Sequence, residues 1–440
     1  MKYHIWTVGC QMNVADSRKL AAGLDRAGCM HTDAPEDADL VVLNTCSVRE
    51  HAEDRAISQL GRLKKLRSRG KDFRIAVMGC MVGVRDDDLR RRFPYVDVFA
   101  RPQDFSPIME VAGIDDSGGE FWPTTFGEPD APTAFVPVIH GCDKFCSYCI
   151  VPYRRGREKS RTIADIKNEV EHYCARGVKE ITLLGQTIEA YGHDLAAGSE
   201  RRDRGQHVGS RSPDLGDLMR AIHDTPGLER IRFLTSYPKD MTPRIIDAVA
   251  ELPKVCENFN IPVQAGDDGV LARMRRGYTL AEYLEKFELV KSRIADAAMV
   301  TDIIVGFCGE TDIEFAHTCD LLERLRFDKV HVAAYSPRLG TIAHRTLADD
   351  VSADVKQHRL QTVEQIETRI STEINQRFLD TRQDVLVENR REGRWSGRNR
   401  LGKLIHFEGD AEVGQTVRVR IERATAWSLQ GTALPATVPA

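Results

Sequence analysis

From the amino terminus, short apolar runs alternate with segments whose apolar residues recur every three or four positions. Tyr3 to Val8, Asp39 to Asn44 and Arg74 to Met78 read as strands, while Val14 to Ala27 and a long basic stretch from Arg49 to about Arg69 carry helical spacing. This alternation predicts a small α/β unit with a mostly parallel sheet. Residues 103 to 133 are rich in Gly, Pro, Asp and Ser and read as a linker. From about 135 to 340 the rhythm returns with greater regularity. Ile163, Ile166, Val170 and Tyr173 precede a strand from Glu180 to Leu184, and a helix near Leu215 to Ile222 precedes Arg230 to Leu234. Arg244 to Leu252 leads to Phe259–Val263, Leu280 to Ile294 to Met299–Val305, and Ile313 to Leu325 to Lys329–Ala334. With the strand before Cys142 these make about six βα units, the series expected of a full or partial β/α barrel whose chemistry lies at the carboxyl ends of its strands. A polar, Gly- and Arg-rich insertion between Gly192 and Asp214 reads as a surface loop.

Beyond Arg377 the period shortens to two. Val417, Val419 and Ile421 alternate with Arg418, Arg420 and Glu422, and glycines at 393, 397, 402, 409 and 414 punctuate short strands, a pattern expected of a small β-barrel. The expected fold is therefore α/β multidomain: an N-terminal α/β parallel-sheet domain (1–117), a central partial (β/α)6 barrel (128–375) and a small all-β barrel (377–437).

A net charge of -4 over 440 residues announces no global attraction to nucleic acid, so any such footprint must be local. Arg390, Arg391, Arg394, Arg398, Arg400 and Lys403 crowd one stretch of the final barrel around Trp395, a mixture suited to RNA phosphates and stacked bases. The alternative is a solvated arginine face. The run from Tyr153 to Arg161 is a second basic patch, or equally a set of salt bridges to helix carboxylates. The amino terminus lacks a signal-peptide pattern and no run of about 18 apolar residues occurs, which places the expected site of action in the cytoplasm, with no membrane partner.

In a reducing compartment eleven cysteines more often hold metal than form disulfides. Cys142, Cys146 and Cys149 form a C-x3-C-x2-C run, which gathers three soft thiolates of the kind an iron–sulfur cluster takes. Three ligands leave one iron of a cubane open to chelate a small molecule. Zinc is the alternative, and His140 would then have to supply the fourth ligand. Each strand of the first domain also flows into a cysteine: Val8-Gly9-Cys10, Asn44-Thr45-Cys46 and Met78-Gly79-Cys80. Parallel strands bring their carboxyl ends to one edge, so Cys10, Cys46 and Cys80 read as a second metal-binding triad. Singly, such cysteines are usually small buried hydrophobes.

The Cys142 run resembles the radical S-adenosylmethionine (SAM) signature. Together with Gly9-Cys-Gln-Met-Asn13, Asp16-Ser17, Asn44-Thr-Cys-Ser-Val-Arg-Glu50 and Cys142 through Arg161, it makes the chain similar to the radical SAM methylthiotransferases over nearly its whole length. The last barrel is similar to the TRAM domain of RNA-modifying enzymes. Further matches are Leu183-Leu-Gly-Gln186, Thr235-Ser236, Pro262-Val-Gln264, Arg276-Gly-Tyr278, Asp302-Ile-Ile-Val-Gly-Phe307 with Gly309-Glu310-Thr311, and Tyr335-Ser-Pro-Arg338. Cys308, Ala265, Tyr237 and Thr187 depart from the family's usual Pro, Ser, His and Asn. Cys29, Cys174, Cys256, Cys308 and Cys319 lie outside both triads and read as plain thiols.

The resemblance implies two 4Fe-4S clusters, one on Cys142, Cys146 and Cys149 and one on Cys10, Cys46 and Cys80. It further implies cleavage of SAM to a 5′-deoxyadenosyl radical at the first cluster and a methylthio group held at the second. Tyr148, Gln186, Ser236, Gln264 and Glu310 are the implied SAM contacts, and Arg394, Arg398, Arg400 and Lys403 the implied RNA contacts. Implied partners are tRNA, a flavodoxin- or ferredoxin-like electron donor and a sulfur donor. The motifs favour the branch acting on isopentenyladenosine in tRNA. Sister branches modify threonylcarbamoyladenosine in tRNA or an aspartate of a ribosomal protein, and a non-enzymatic reading would be an RNA-binding protein with cysteine-held metal.

Overall fold

The computed structural model describes residues 1–47, 50–83, 86–114, 126–127, 129, 131–195 and 212–435. Most of the expected linker, most of the 192–214 insertion, Val48 and Arg49, and the expected boundaries at 117, 128 and 437 lie outside the described residues. In chain order the elements are β1 (Lys2–Thr7), α1 (Gln11–Arg26), β2 (Met30–His31), β3 (Leu40–Thr45), α2 (Glu50–Ser68), β4 (Arg74–Gly79), α3 (Asp87–Arg92), β5 (Val98–Ala100) and α4 (Ser106–Val111). There follow β6 (Thr133–Pro137), β7 (Ile139–His140), α5 (Val151–Arg155), β8 (Lys159–Ser160), α6 (Ile163–Cys174), β9 (Glu180–Leu184), α7 (Leu215–His223), β10 (Arg230–Leu234), α8 (Pro243–Glu251) and β11 (Asn258–Asn260). The chain continues through α9 (Asp268–Arg273), α10 (Leu280–Arg293), β12 (Ala298–Val305), α11 (Asp312–Leu325), β13 (Lys329–Ala334), α12 (Ile342–Thr346) and α13 (Ala353–Gln376). It ends with β14 (Arg382–Arg391), β15 (Arg394–Arg398), β16 (Leu404–Glu408), β17 (Thr416–Ala424) and β18 (Leu429–Ala433).

Contacts divide the chain into two compact units. The first comprises Met1–Glu128, His140–Lys159 and Arg338–Thr341, the second Pro129–Ile139, Ser160–Pro337 and Ile342–Ala440. In the first, a parallel sheet has the order β2-β1-β3-β4-β5. Leu40–Thr45 is buried throughout, as a central parallel strand covered on both faces must be. Leu20 and Leu24 of α1 and Ile108 of α4 cover one face through Leu40, Val42 and Met78. Ala56, Leu60 and Leu63 of α2 cover the other through Val41, Leu43 and Val77. Residues 140–159, the cysteine run and its sequel, belong to this unit although they follow β6 in the chain.

In the second unit, six parallel strands form two ladders, β10-β9-β6 and β11-β12-β13, joined by a bridge between Ile231 and Val255. This is the expected partial barrel. Its helices start where the sequence supplies caps. Thr279 with Glu282 and Thr311 with Glu314 form capping boxes, and Thr242 precedes Pro243 at a first helical position. The five carboxyl-terminal strands close into a barrel of order β14-β15-β16-β18-β17 around Val385, Val387, Ile405, Phe407, Val419 and Ile421.

That barrel docks on the amino ends of the core strands. Arg230 donates to the Arg398 and Asp384 carbonyls at 2.6 and 2.9 Å, and Arg232 to those of Arg400 and Asn399 at 2.8 and 2.6 Å. Asn258 donates to the Leu401 carbonyl at 3.0 Å. Arg230 and Asn258 open their strands, and Arg232 is the third residue of β10.

Candidate active site

Register places the first triad. In the ladder, Thr7 pairs with Asn44 and Thr45 with Gly79, so β1, β3 and β4 stop level with one another and Cys10, Cys46 and Cys80 follow at one sheet edge. Buried polar side chains hold the three ends. Asn13 donates to Asn44 Oδ1 and the Thr45 carbonyl at 2.8 and 2.9 Å, and Asn44 returns bonds to the Asn13 carbonyl and Ser17 Oγ at 2.7 and 2.9 Å. Ser47 ties its hydroxyl to the Cys80 carbonyl at 2.7 Å, and the Cys10 thiol donates to Asn13 Oδ1 at 3.3 Å. Gly79 has φ +93°, and a Cβ there would run into the Thr45 carbonyl. A Cβ on Gly9 would stand 2.9 Å from that of Cys46, so both turns need the space that only glycine leaves.

Beside this triad lies a buried ion pair. Arg155 Nη2 meets Asp16 Oδ2 at 2.9 Å, and each side chain is 2% exposed. Burial pushes the Cys80 thiol up, and the Arg155 guanidinium, within hydrogen-bonding reach, draws it back. Burial also works against the charge on Arg155, yet Cys80, Asp16 and Cys10 outweigh it and hold Arg155 above its ordinary value. The Tyr153–Arg161 run is thus partly structural: Arg155 pairs with Asp16 and Arg161 with the buried Glu169, while Arg157 reaches the surface beside Asp143 at 2.8 Å. Salt bridges, the alternative to a basic patch, account for Arg155 and Arg161.

The second triad sits on a loop bent by Gly141 (φ +73°) and Phe145 (φ +48°). The Cys142 amide donates to the Gly156 carbonyl at 3.1 Å and the Cys149 amide to the Cys146 carbonyl at 3.0 Å, closing the loop on itself. Phe145 packs edge-on to Tyr153 and beneath Arg157. Cys142 and Cys146 are buried, while Cys149 and Tyr148 are half-buried. No disulfide joins any of the eleven cysteines. Among the described residues no three Cys, His, Asp or Glu side chains close to the spacing of a single shared ion. A cubane, whose ligands sit on different irons, asks for a wider set of soft donors, and cysteine thiolates are of that type.

In the second unit, Gln186, Ser236 and Gln264 follow β9, β10 and β11 and so stand at the carboxyl ends of adjacent strands. Gln186 Oε1, Gln264 Oε1 and Asn260 Oδ1 are buried acceptors without a donor. Glu189, fully buried, accepts the Tyr237 amide at 3.0 Å, and burial pushes its carboxyl up to about 8 despite help from Ser236 and Tyr237. A rim of unfilled acceptors fits the cationic ammonium and sulfonium of SAM. Glu310, expected there too, is engaged elsewhere: it takes the Gly306 amide at 2.6 Å and Arg359 at 2.8 Å in a buried pair that fastens α13. Tyr237, a departure from the family pattern, hydrogen-bonds the Arg276 carbonyl.

The expected RNA contacts divide. Arg394 and Arg398 lie on the barrel surface, paired with Glu408 at 3.3 Å and Glu388 at 2.7 Å. Arg400 and Lys403 instead reach the core. Arg400 grips both oxygens of Glu257 at 3.1 and 2.6 Å, and Lys403 meets Asp328 at 2.9 Å with both side chains close to 10% exposed (10% and 11%). Sequence reasoning could not separate the two pairs, because all four cations occupy one short stretch. Glu189, Arg359 and the role of Arg155 went unread for a similar reason: their partners are distant in the chain.

A partial β/α barrel, a three-cysteine loop and acceptors at the strand ends define a radical SAM enzyme. Family models agree: the Radical SAM superfamily matches residues 136–322, Uncharacterized protein family UPF0004 residues 2–100, and the TRAM domain residues 376–434. The chain is 42% identical over 97% of its length to a tRNA-2-methylthio-N(6)-dimethylallyladenosine synthase of Dehalococcoides mccartyi, also covering 97% of that protein. It is 40% identical over 99% of its length to the synthase of Herpetosiphon aurantiacus, covering 98% of it. The chain belongs to the radical SAM methylthiotransferase family that these synthases represent. Among solved structures, TsrM, a radical SAM methyltransferase from Kitasatospora setae, aligns with a TM-score of 0.53 at 13% identity over 76% of this chain and 72% of that one, a likeness of fold.

Proposed function

We propose that the protein adds a methylthio group to carbon 2 of N6-isopentenyladenosine next to the anticodon of tRNA. The observation that carries this reading is the pair of cysteine triads, one at three level strand ends and one on the loop of the radical SAM signature, in a chain of this family. Cys142, Cys146 and Cys149 would hold one 4Fe-4S cluster, and Cys10, Cys46 and Cys80 the other. When bound, the clusters and SAM supply the electron, the radical and the methylthio sulfur.

The protein's own residues do the rest. Gln186, Ser236, Gln264 and the carboxyl of Glu189 orient SAM by its cationic end, and Tyr148 packs near its adenine. Asn13, Asn44 and Ser47 fix the turns bearing the other triad. Arg394 and Arg398, with Trp395 between them in the chain, contact RNA on the barrel surface. Three domains, 1–117, 128–375 and 377–437, divide these tasks. A flavodoxin- or ferredoxin-like protein supplies electrons, a separate donor supplies sulfur, and the reaction takes place in the cytoplasm; among the described residues no helix is long and apolar enough to cross a membrane.

The test is mass spectrometry of nucleosides from isopentenyladenosine-containing tRNA incubated anaerobically with reconstituted protein, reductant, sulfide and SAM. A methylthio mass gain on that nucleoside supports the reading. Formation of 5′-deoxyadenosine without the gain keeps the radical chemistry and moves the substrate to threonylcarbamoyladenosine or a ribosomal protein.

A further inference from the structure

Arg155 is a fully buried cation set beside Cys80, in the Cys10, Cys46 and Cys80 site. It ends α5, a helix of five residues that begins two positions after Cys149, and is clamped from behind by Asp16 of α1. Asp16 engages only Nη2; Nη1 is buried and unmet by any oxygen, and the guanidinium lies within reach of the Cys80 thiol. A covered guanidinium so placed favours an anionic sulfur beside it. Its neighbour Cys80 is buried and takes the Ser47 hydroxyl only on its backbone carbonyl. Three thiolates leave a cluster net negative, and both reduction and an added anionic sulfur ligand deepen that charge. Cys10 is exposed, but beside the buried Cys46 and Cys80 a fixed cation acts with less screening than at the surface.

Resting on the reading that these three cysteines hold a cluster, we infer that Arg155 is the built-in counter-charge of the auxiliary site: held by Asp16, it stabilises the reduced cluster and binds a small anionic sulfur ligand, hydrosulfide or methanethiolate, at the open position. Arg155 is thus a positioning residue contributed by the segment that carries the other triad. A merely structural pair would fasten α5 to α1 and leave both properties alone.

The test uses the full chain with Cys142, Cys146 and Cys149 all changed to Ala, so that only the auxiliary cluster is present, and reads it by redox titration and by spectroscopic titration with methanethiolate. Arg155→Gln is expected to move the reduction potential to more negative values and to weaken methanethiolate binding by roughly tenfold or more, the worth of a lost charge-assisted hydrogen bond. Arg155→Lys should retain most of both. Since Arg155→Gln leaves Asp16 buried alone, the pair Asp16→Asn with Arg155→Gln is made as well, and should shift both readings in the same direction by less. Unchanged potential and affinity in either glutamine variant overturn the inference while the cluster reading stands. Failure of the triple-alanine protein to bind iron overturns the triad itself, and the role of Arg155 with it.

Discussion

Replacing Arg400 by Ala separates a docking residue from an RNA contact. Arg400 donates to both oxygens of Glu257 and to the Pro253 and Val255 carbonyls at 2.7 and 2.6 Å, all on the core. Its side chain is 32% exposed and that of Glu257 29%, so the ion pair is partly screened. A charge-assisted bond in such a setting contributes about 1–2 kcal/mol, and two carbonyls losing their donor add about 1 kcal/mol each at most, because water can reach part of the seam. The total, about 1–4 kcal/mol, falls on the contact between the small barrel and the core rather than on either hydrophobic centre. Local opening of that seam should become roughly fivefold to several-hundred-fold more frequent, which hydrogen exchange reads in β11 and in residues 398–404. A reciprocal exchange, Arg400→Glu with Glu257→Arg, should recover much of the protection. A phosphate contact behaves differently: its loss lowers the slope of log affinity against log salt by roughly 0.7–0.9 and is not rescued from Glu257. Wild-type protection together with a reduced salt slope in Arg400→Ala would refute the docking assignment.

Other expectations follow from the two triads and the core. Cys146→Ala should abolish formation of 5′-deoxyadenosine, whereas Cys46→Ala should keep it and lose methylthiolated nucleoside, both read by chromatography of one reaction. Gly79→Ala forces a Cβ against the Thr45 carbonyl at a positive φ, and should cost roughly 2–4 kcal/mol of stability and halve the iron bound per chain, measured by melting and iron assay. Glu189, raised to about 8 in the folded protein, lowers stability as pH climbs from the ordinary carboxyl range towards 8, since the unfolded chain releases that proton first. Glu189→Gln should remove this slope and make the SAM-free protein more stable at neutral pH by a few kcal/mol, in denaturant melts across that window.

Much of the architecture was legible because its signals are local. Each βα unit announces itself by a change of period, and strands such as Glu180–Leu184 and Lys329–Ala334 fall where the pattern places them. The strand-end cysteines were legible for a topological reason: parallel strands of similar length must finish together. What stayed hidden depends on partners far away. Arg155 and Asp16 are 139 positions apart, and Arg359 reaches back 49 to Glu310, so nothing near either arginine distinguishes it from a surface cation. Similarly, Arg394, Arg398, Arg400 and Lys403 share one basic stretch, and only the docking geometry tells which of them turn to Glu257 and Asp328.

The docking of the small barrel on the amino ends of the core strands sets a minimum length for the substrate. Gln186, Ser236 and Gln264 stand at the opposite ends, one strand away; β10, with Arg230 at its start and Ser236 just past its end, spans about 16 Å over its five residues. If the barrel holds RNA as proposed, the RNA must reach around that distance before its target base meets the strand ends, and a free nucleoside is too small to occupy both. On that reading the docking makes the protein a gauge of its substrate's length as well as a reader of its base.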